Sequence, residues 1–256
     1  MTKFLVDYYD LPFLAKNEWG EETHPDWFNW RCEVLLTRNR EAIEGKNILD
    51  LGSHVGGLMY GCLKLGARHV TGVEGTGRIR LADYYLSQLG YGPQHYTLVQ
   101  DDVYNHLHRT QPGDYDTVLC CGFLYHTARQ LELFKEFQRI APKHLVIDTI
   151  VWHTLTERRS WSTWFKDFLA WRRPAEPPAL LFKPERNIIE EKAIGPLGLI
   201  AVPTSKWVEW MFERHGFKYR QLLWDKKVIK HVPIQALLGG YLSGRRVSYL
   251  AWRSEA

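Results

Sequence analysis

The sequence predicts an α/β fold: a mostly parallel seven-stranded sheet with an antiparallel final strand, a helical N-terminal extension and a lid insertion after the fifth strand. From Asn47 to Asp148, short β-rich runs alternate with longer amphipathic stretches, which is typical of βαβ units. After Asp148 the alternation stops. At 256 residues the chain is long for one hydrophobic core and short for two, so we expect a single domain, 1–256.

The N-terminal extension, residues 1–46, contains one predicted helix. Trp27, Trp30 and Val34 recur at roughly helical spacing within the segment 25–43. An apolar stripe of this kind needs a surface to pack on. We therefore expect the helix to cover one edge of the sheet.

The core, residues 47–150, holds the parallel strands, with helices in the gaps between them. The predicted strands are Asn47–Leu51, His69–Val73, His95–Val99, Asp116–Cys121 and His144–Asp148. Because open α/β sheets bind ligands beyond the carboxyl ends of their strands, the residues that follow these runs are the candidates for a functional site.

The insertion, residues 151–204, is interpreted as a lid. Its segment Trp161–Leu169 places apolar residues at i, i+3, i+4, i+7 and i+8, which is one continuous face of a helix. We expect that face to pack on the protein's own sheet and to roof a pocket. A partner helix and an anionic membrane surface are the alternatives, since arginines bracket the segment.

The C-terminal part, residues 205–256, begins with a predicted helix over Ser205–His215, which Gly216 ends. Two β-rich runs follow, Gln221–Lys230 and Arg245–Trp252. We expect them to form an antiparallel pair at the sheet edge.

Composition bounds the class of protein. The sequence contains no run of about 18 consecutive apolar residues, and Asp7 interrupts the apolar stretch that a signal peptide would need, so we expect a soluble, cytoplasmic protein. A net charge of +4 permits nucleic acid as a partner without favouring it. The four cysteines have neither a disulfide pattern nor paired metal-ligand spacing, and we interpret them as buried thiols. The oligomeric state is not predicted.

A glycine-bearing turn follows the first predicted strand, in the sequence Ile48-Leu49-Asp50-Leu51-Gly52-Ser53-His54-Val55-Gly56-Gly57. Glycines at such a turn let the backbone approach a nucleotide closely. Alone, the turn is equally typical of nicotinamide and flavin sites.

Acidic residues follow the next two strands, in Gly72-Val73-Glu74-Gly75 and in Gln100-Asp101-Asp102-Val103. The fourth strand then continues from Tyr115-Asp116-Thr117-Val118 to a Leu124-Tyr125-His126 element. With these motifs in order, the chain resembles the class I S-adenosylmethionine-dependent methyltransferases, which have a Rossmann-like sheet. The resemblance covers about Asn47 to Phe217, with a gap at the lid.

The resemblance implies a binding site for S-adenosyl-L-methionine. Asp50 would position the methionine part of the cofactor, and Glu74 would bind the ribose hydroxyls. An acid after the third strand, Asp101 or more readily Asp102, would bind the adenine amino group while Val103 packs on the ring. The other expected cofactor contacts are Gly52, Ser53, His54, Gly56 and, at the end of the fourth strand, Cys121. His54 stands where the family has its second glycine.

Within this family the motifs are similar to the branch that contains the tRNA-uridine carboxymethyltransferase. The similarity continues in Val202-Pro203-Thr204-Ser205-Lys206 and in the segment Trp210–Phe217. That relative has a basic residue after the Leu-Tyr-His element, where this chain has Thr127. We therefore expect ordinary S-adenosylmethionine as the cofactor.

Three residues are candidates for catalysis. His126 and His153 follow the fourth and fifth strands, where a histidine could take a proton from an alcohol or phenol acceptor, and Tyr125 would line the same pocket. As an alternative, Asp148 with His153 could hold a divalent cation, although no ligand-spacing motif supports it and no metal site is expected.

The sequence thus predicts a methyltransferase, with O-methylation of a small hydroxylated acceptor such as a sugar, polyketide or phenolic metabolite as the leading hypothesis. A tRNA- or RNA-modifying methyl- or carboxymethyltransferase is the second enzyme hypothesis. A non-catalytic cofactor-binding module is the third hypothesis, because of His54 in the glycine turn.

Overall fold

The computed structural model describes residues 4–9, 11, 25–152, 177–184, 198–224 and 235–253. Its strands are β1 Asn47–Leu51, β2 His69–Val73, β3 Tyr96–Val99, β4 Thr117–Cys121, β5 His144–Ile150, β6 Leu180–Pro184, β7 Leu199–Pro203, β8 Phe217–Gln221 and β9 Arg246–Arg253. Its α-helices are α1 Pro25–Leu35, α2 Gly57–Lys64, α3 Ile79–Gln88, α4 Val103–Arg109, α5 Gln130–Ile140, α6 Ser205–Arg214 and α7 Gln235–Leu242, and 3-10 turns span Thr37–Ala42 and Leu124–His126.

The described strands form a seven-stranded sheet in the order β3-β2-β1-β4-β5-β9-β8. Strands β1 to β5 pair in parallel, whereas β9 is antiparallel to both β5 and β8. The predicted seven-stranded sheet, mostly parallel with an antiparallel end, is confirmed. From β1 the chain adds β2 and β3 on one side of the sheet, and it then crosses to the other side for β4 and β5. Sheets of this kind bind ligands at the carboxyl ends of the two strands where the direction changes, here β1 and β4.

Two details of the C-terminal part differ from the prediction. The penultimate strand is Phe217–Gln221 and not Gln221–Lys230, because Gly216 adopts a left-handed conformation (φ 76°) that turns the chain directly from α6 into β8. Residues 225–230 of the predicted run lie outside the described residues. Helix α7, which the sequence did not lead us to expect, precedes β9.

The insertion after β5 is described in part. Residues 180–184 and 199–203 form an antiparallel two-stranded sheet, β6 with β7, that was not predicted. The predicted lid helix over 161–169 and the candidate base His153 lie outside the described residues. No described helix is long and apolar enough to cross a membrane.

Both faces of the sheet are covered by apolar clusters, as expected for parallel strands. Neighbouring residues of one strand point to opposite faces: Ile48 packs with residues of α1 and α2, whereas Leu49 packs with residues of α4, α5 and α6. The strand ends above the site are therefore held from both sides.

Helix α1 lies at the edge of the sheet where the central strands end, and not beside an outermost strand. Its Arg31 donates to the carbonyl of Cys121 at the end of β4 (3.3 Å) and to Asp148 on β5 (2.9 Å). Both strands lie inside the sheet. The helix thus packs across the carboxyl ends of the central strands, beside the expected site.

Asp148 is the centre of a buried polar network at the carboxyl end of β5. Its Oδ2 accepts hydrogen bonds from Arg31, from Tyr241 (3.0 Å) and from Nε and Nη2 of Arg246 (3.0 and 2.8 Å), and its Oδ1 accepts one from Ser248 (2.8 Å). Burial alone would raise the pKa of Asp148, but Arg246 and Arg31 outweigh it and hold the pKa below its usual value. One carboxylate thus joins α1, β5, α7 and β9.

Removing this charge should destabilise the fold. In Asp148→Asn two buried guanidinium groups lose their counter-ion, so we expect the free energy of unfolding at pH 7 to fall by about 3–5 kcal/mol. Because the pKa of Asp148 is lowered in the folded state, the stabilisation is complete above the unfolded pKa of about 4 and is lost as pH falls below it. Urea unfolding of both proteins measures the difference.

Glu132→Gln is the matched control, because Glu132 pairs with Arg129 at the surface. It should cost less than about 1 kcal/mol. Equal losses in the two variants would show that the network at Asp148 does not hold the elements together.

Candidate active site

The carboxyl ends of the parallel strands bring the predicted cofactor residues together at one edge of the sheet. The turn with Gly52 and His54 follows β1, and its backbone N–H groups donate to Val73 at the end of β2 and to the side chain of Glu74 just beyond it. Asp102 follows β3, and Gly122 follows β4. The edge therefore carries the glycine turn, the acids and the Leu124–His126 element side by side.

In the glycine turn, every second residue from Gly52 to Gly56 adopts a left-handed backbone conformation. Gly52, His54 and Gly56 have φ values of 69°, 53° and 83°. A side chain at such a position costs about 1–2 kcal/mol, although histidine tolerates it better than most residues. The backbone N–H of His54 donates to Oε2 of Glu74 (3.0 Å), which fixes the turn despite the missing glycine.

Glu74 is buried and holds two turns in place. Besides the bond from His54, its Oε1 accepts hydrogen bonds from the backbone N–H (3.0 Å) and the hydroxyl (2.8 Å) of Thr76. A carboxylate offers about four lone-pair sites, and the described residues occupy three of them on Glu74, so the group can accept from a further donor. Glu74 thus combines a structural role with an available acceptor.

Two further polar groups are buried at this turn, the carboxyl of Asp50 in β1 and the hydroxyl of Ser53. Burial raises the pKa of Asp50 to about 7, with Arg31 opposing the rise and Glu74 adding to it. The hydroxyl of Ser53 has no hydrogen-bond partner among the described residues. An unsatisfied buried polar group calls for an explanation, and a polar ligand bound here would supply the partner of Ser53.

The acids after β3 both have partners within the chain. Asp102 caps α4, since its Oδ1 accepts from the backbone N–H groups of Tyr104 (2.8 Å) and Asn105 (3.2 Å). Asp101 contacts Arg109, and Val103 is buried. These contacts place both acids at the sheet edge, and the choice between them as the adenine ligand stays a prediction.

The candidate catalytic residues beyond β4 lie in one 3-10 turn. The rings of Tyr125 and His126 have centroids 4.2 Å apart, and the backbone N–H of His126 donates to the carbonyl of Phe123. Cys121, just before them, is buried and its thiol lies 3.8 Å from the carbonyl of Val146. Tyr125 and His126 therefore extend from the end of β4 as the sequence predicts.

Sequence reasoning missed the buried arginines of this edge, Arg31 and Arg246. The guanidinium of Arg31 stacks on the ring of Trp27 at 4.3 Å. Arg31 follows Trp27 by four residues and therefore lies on the apolar stripe of α1. A charged residue on such a stripe was the available signal for a buried partner.

The alternative of a cation held by Asp148 and His153 is not supported. The carboxylate of Asp148 is surrounded by the guanidinium groups of Arg31 and Arg246, which would repel a cation. Among the described residues, no group of three or more His, Cys, Asp and Glu could hold a metal ion.

Solved structures with this fold include the N-terminal domain of EvdMO1, determined in the presence of SAH and D-fucose (TM-score 0.60, 18% identity, 95% of this chain and 92% of that one). The fold is that of S-adenosylmethionine-dependent methyltransferases. Two further structures share it. One is geranyl diphosphate C-methyltransferase from Streptomyces coelicolor A3(2) (TM-score 0.55, 13% identity, 88% of this chain and 80% of that one). The other is magnesium protoporphyrin IX methyltransferase from Synechocystis PCC 6803 (TM-score 0.53, 16% identity, 90% of this chain and 84% of that one). No protein-family model and no curated protein sequence matches the chain.

Glu74 provides a test of the cofactor site. If Glu74 binds the ribose hydroxyls as predicted, Glu74→Ala removes their acceptor, and binding of S-adenosylmethionine should weaken by about 1.5–3 kcal/mol in a folded protein. Isothermal titration calorimetry measures the affinity. Thr76→Val removes only the hydroxyl donor to the same carboxylate and should cost less. Unchanged affinity in a folded Glu74→Ala protein would refute the ribose assignment.

Asp50 should give the fold a distinctive pH dependence. Because its pKa rises to about 7 in the folded state, the folded protein binds more protons than the unfolded chain between about pH 4 and pH 7. Its contribution to stability therefore falls as pH rises through this window. Urea unfolding should show Asp50→Asn gaining stability relative to wild type between pH 5 and pH 8.5.

Asp101→Asn is the control, because the pKa of Asp101 is lowered and its titration lies below this window. The difference between that variant and wild type should stay constant from pH 5 to pH 8.5. The same constancy in Asp50→Asn would contradict the raised pKa of Asp50.

Proposed function

We propose that this chain binds S-adenosylmethionine at the carboxyl ends of β1 to β4 and transfers its methyl group to a small hydroxylated acceptor. The observation that carries the proposal is the glycine turn bonded to Glu74, with the buried carboxyl of Asp50 beside it. This arrangement offers close backbone approach and polar groups with unused capacity, in a fold shared with SAH-bound methyltransferases.

The described residues fit the cofactor. Asp50 would bind the methionine part, whose ammonium group would favour the ionised carboxylate. Glu74 would accept from the ribose hydroxyls, and Asp101 or Asp102 with Val103 would bind adenine. Ser53 would direct its unpartnered hydroxyl to the same molecule.

The cofactor supplies a methyl group on a sulfonium, already activated for displacement. The protein has to align the acceptor, exclude water and remove a proton from the attacking hydroxyl. His126, which lies beyond β4, would take that proton, and Tyr125 would orient the acceptor. His153 lies outside the described residues and stays the alternative base.

The fold leaves the acceptor open. The solved relatives include one crystallised with D-fucose, one that acts on magnesium protoporphyrin IX and one that is a C-methyltransferase of geranyl diphosphate. The relative with D-fucose supports a sugar among the hydroxylated acceptors. A panel of sugars, phenols and transfer RNA, assayed with labelled S-adenosylmethionine, separates the small-molecule hypothesis from RNA modification.

His126 tests the chemistry. Losing a general base typically costs about a hundredfold to ten-thousandfold in turnover. His126→Ala should therefore reduce kcat at saturating acceptor while the affinity for S-adenosylmethionine stays nearly unchanged, and raising the pH should restore part of the rate. Steady-state kinetics with an acceptor from the panel measures both effects.

His69→Ala is the matched control, because His69 begins β2 at the opposite end of the sheet. It should leave kcat unchanged. Normal turnover in His126→Ala would show that another residue takes the proton, or that orientation alone carries the reaction.

A further inference from the structure

Two buried arginines flank the end of β4. A Cβ atom added to Gly122 would lie 3.5 Å from Nη2 of Arg246 and 4.0 Å from Nη2 of Arg31. The side chains of Arg31 and Arg246 are only 7% and 14% exposed. Both guanidinium groups therefore lie beside the turn that leads to Tyr125 and His126.

The charges of the described residues do not balance at this point. Among these residues, Asp148 is the one carboxylate bonded to the two guanidinium groups, and its lowered pKa keeps it ionised. Asp50, the next described acid, interacts with Arg31 electrostatically, but burial leaves its carboxyl only partly ionised near pH 7. The described groups therefore carry a net positive charge here, and an uncompensated buried charge is costly.

Several arginine donors are also unused. Nε of Arg31 is buried and has no hydrogen-bond partner in the described structure. Nε and Nη2 of Arg246 both donate to Asp148, whereas its Nη1 makes no hydrogen bond to the residues described. An anion would satisfy both the charge and the donors.

Aromatic rings surround Arg246. Its guanidinium carbon lies 5.6 Å from the ring centroid of Tyr125 and 5.5 Å from that of Tyr241. Tyr241 is stacked on Trp224, with centroids 3.6 Å apart. These rings fix the cation and provide flat apolar walls beside it.

We propose that Arg31 and Arg246 bind a carboxylate group of the methyl acceptor. The assignment rests on the proposed function, since it names the acceptor class of that site. The guanidinium carbon of Arg246 lies 5.6 Å from the ring centroid of Tyr125, which the proposed function places at the acceptor. We therefore assign the anion beside Arg246 to the acceptor.

The test compares ligands of similar shape with and without a carboxylate. Binding of benzoate and benzamide, and of glucuronate and glucose, is measured on the SAH-loaded protein by calorimetry and ligand-observed NMR. In at least one pair the carboxylate should bind tenfold or more tightly than its neutral partner. Arg246→Gln should reduce that preference to less than twofold, whereas Arg246→Lys should retain part of it.

A merely structural role of Arg246 would weaken both members of a pair equally, so the ratio within a pair is the decisive quantity. Circular dichroism and SAH affinity report whether Arg246→Gln folds; if it does not, the wild-type ratios decide alone. Equal binding within both pairs, no binding by either carboxylate, or a preference that survives in folded Arg246→Gln would overturn the proposal.

The source of the carboxylate is tested by replacing SAH with 5′-methylthioadenosine, which lacks the amino-acid tail. The acceptor assignment predicts the same carboxylate preference with both. A preference seen only with 5′-methylthioadenosine would assign the arginines to the cofactor's carboxylate and overturn the proposal. If SAH itself does not bind, the proposed function fails, whereas the carboxylate preference can still be measured on the protein alone.

Discussion

The buried carboxylate of Asp148 is the contact on which the arrangement of the site depends. It lies on β5, the strand that pairs in parallel with β4 on one side and antiparallel with β9 on the other. It accepts hydrogen bonds from Arg31, Tyr241, Arg246 and Ser248. Without it, α1 and α7 would bring uncompensated or unsatisfied polar groups into the interior, which is strongly unfavourable. The network thus fixes the elements beside the proposed acceptor site relative to the parallel strands.

A second carboxylate, Glu74, has the corresponding structural role beside the proposed cofactor site. It connects the backbone at His54 to Thr76 and so couples the turns after β1 and β2. This coupling explains how a histidine can occupy a left-handed position in a glycine turn. Two buried acids, one after β2 and one on β5, therefore shape the two halves of one crevice at the carboxyl edge of the sheet.

Much of the core could be predicted because its signals are local. The alternation of β-rich and amphipathic runs gave β1 and β2 with their observed bounds, and the parallel order followed from the connecting helices. The acids Asp50, Glu74 and Asp102 could be placed at one edge because parallel strands end together. Strands and residue positions that depend on a local sequence pattern could thus be predicted.

Features that depend on distant partners could not be predicted in the same way. Arg31 and Asp148 are 117 residues apart, and only the folded sheet shows that one neutralises the other. Strand β8 was predicted too late in the sequence. The sequence does not show that Gly216 adopts a left-handed conformation and starts the strand at the next residue, and the β-rich run from Gln221 onward was taken as the strand instead. The pairing of β6 with β7 likewise joins two segments of the insertion that are separated by residues 185–198.

A crystal structure of the protein with SAH would test the proposed cofactor site as a whole, because it would show the ribose, the amino-acid part and the sulfur of one bound molecule. We expect the ribose hydroxyls within hydrogen-bonding distance of Glu74 and the amino-acid part beside Asp50 and the glycine turn. The sulfur should then face Tyr125 and His126 beyond β4. SAH bound elsewhere, or with its ribose away from Glu74, would contradict the account.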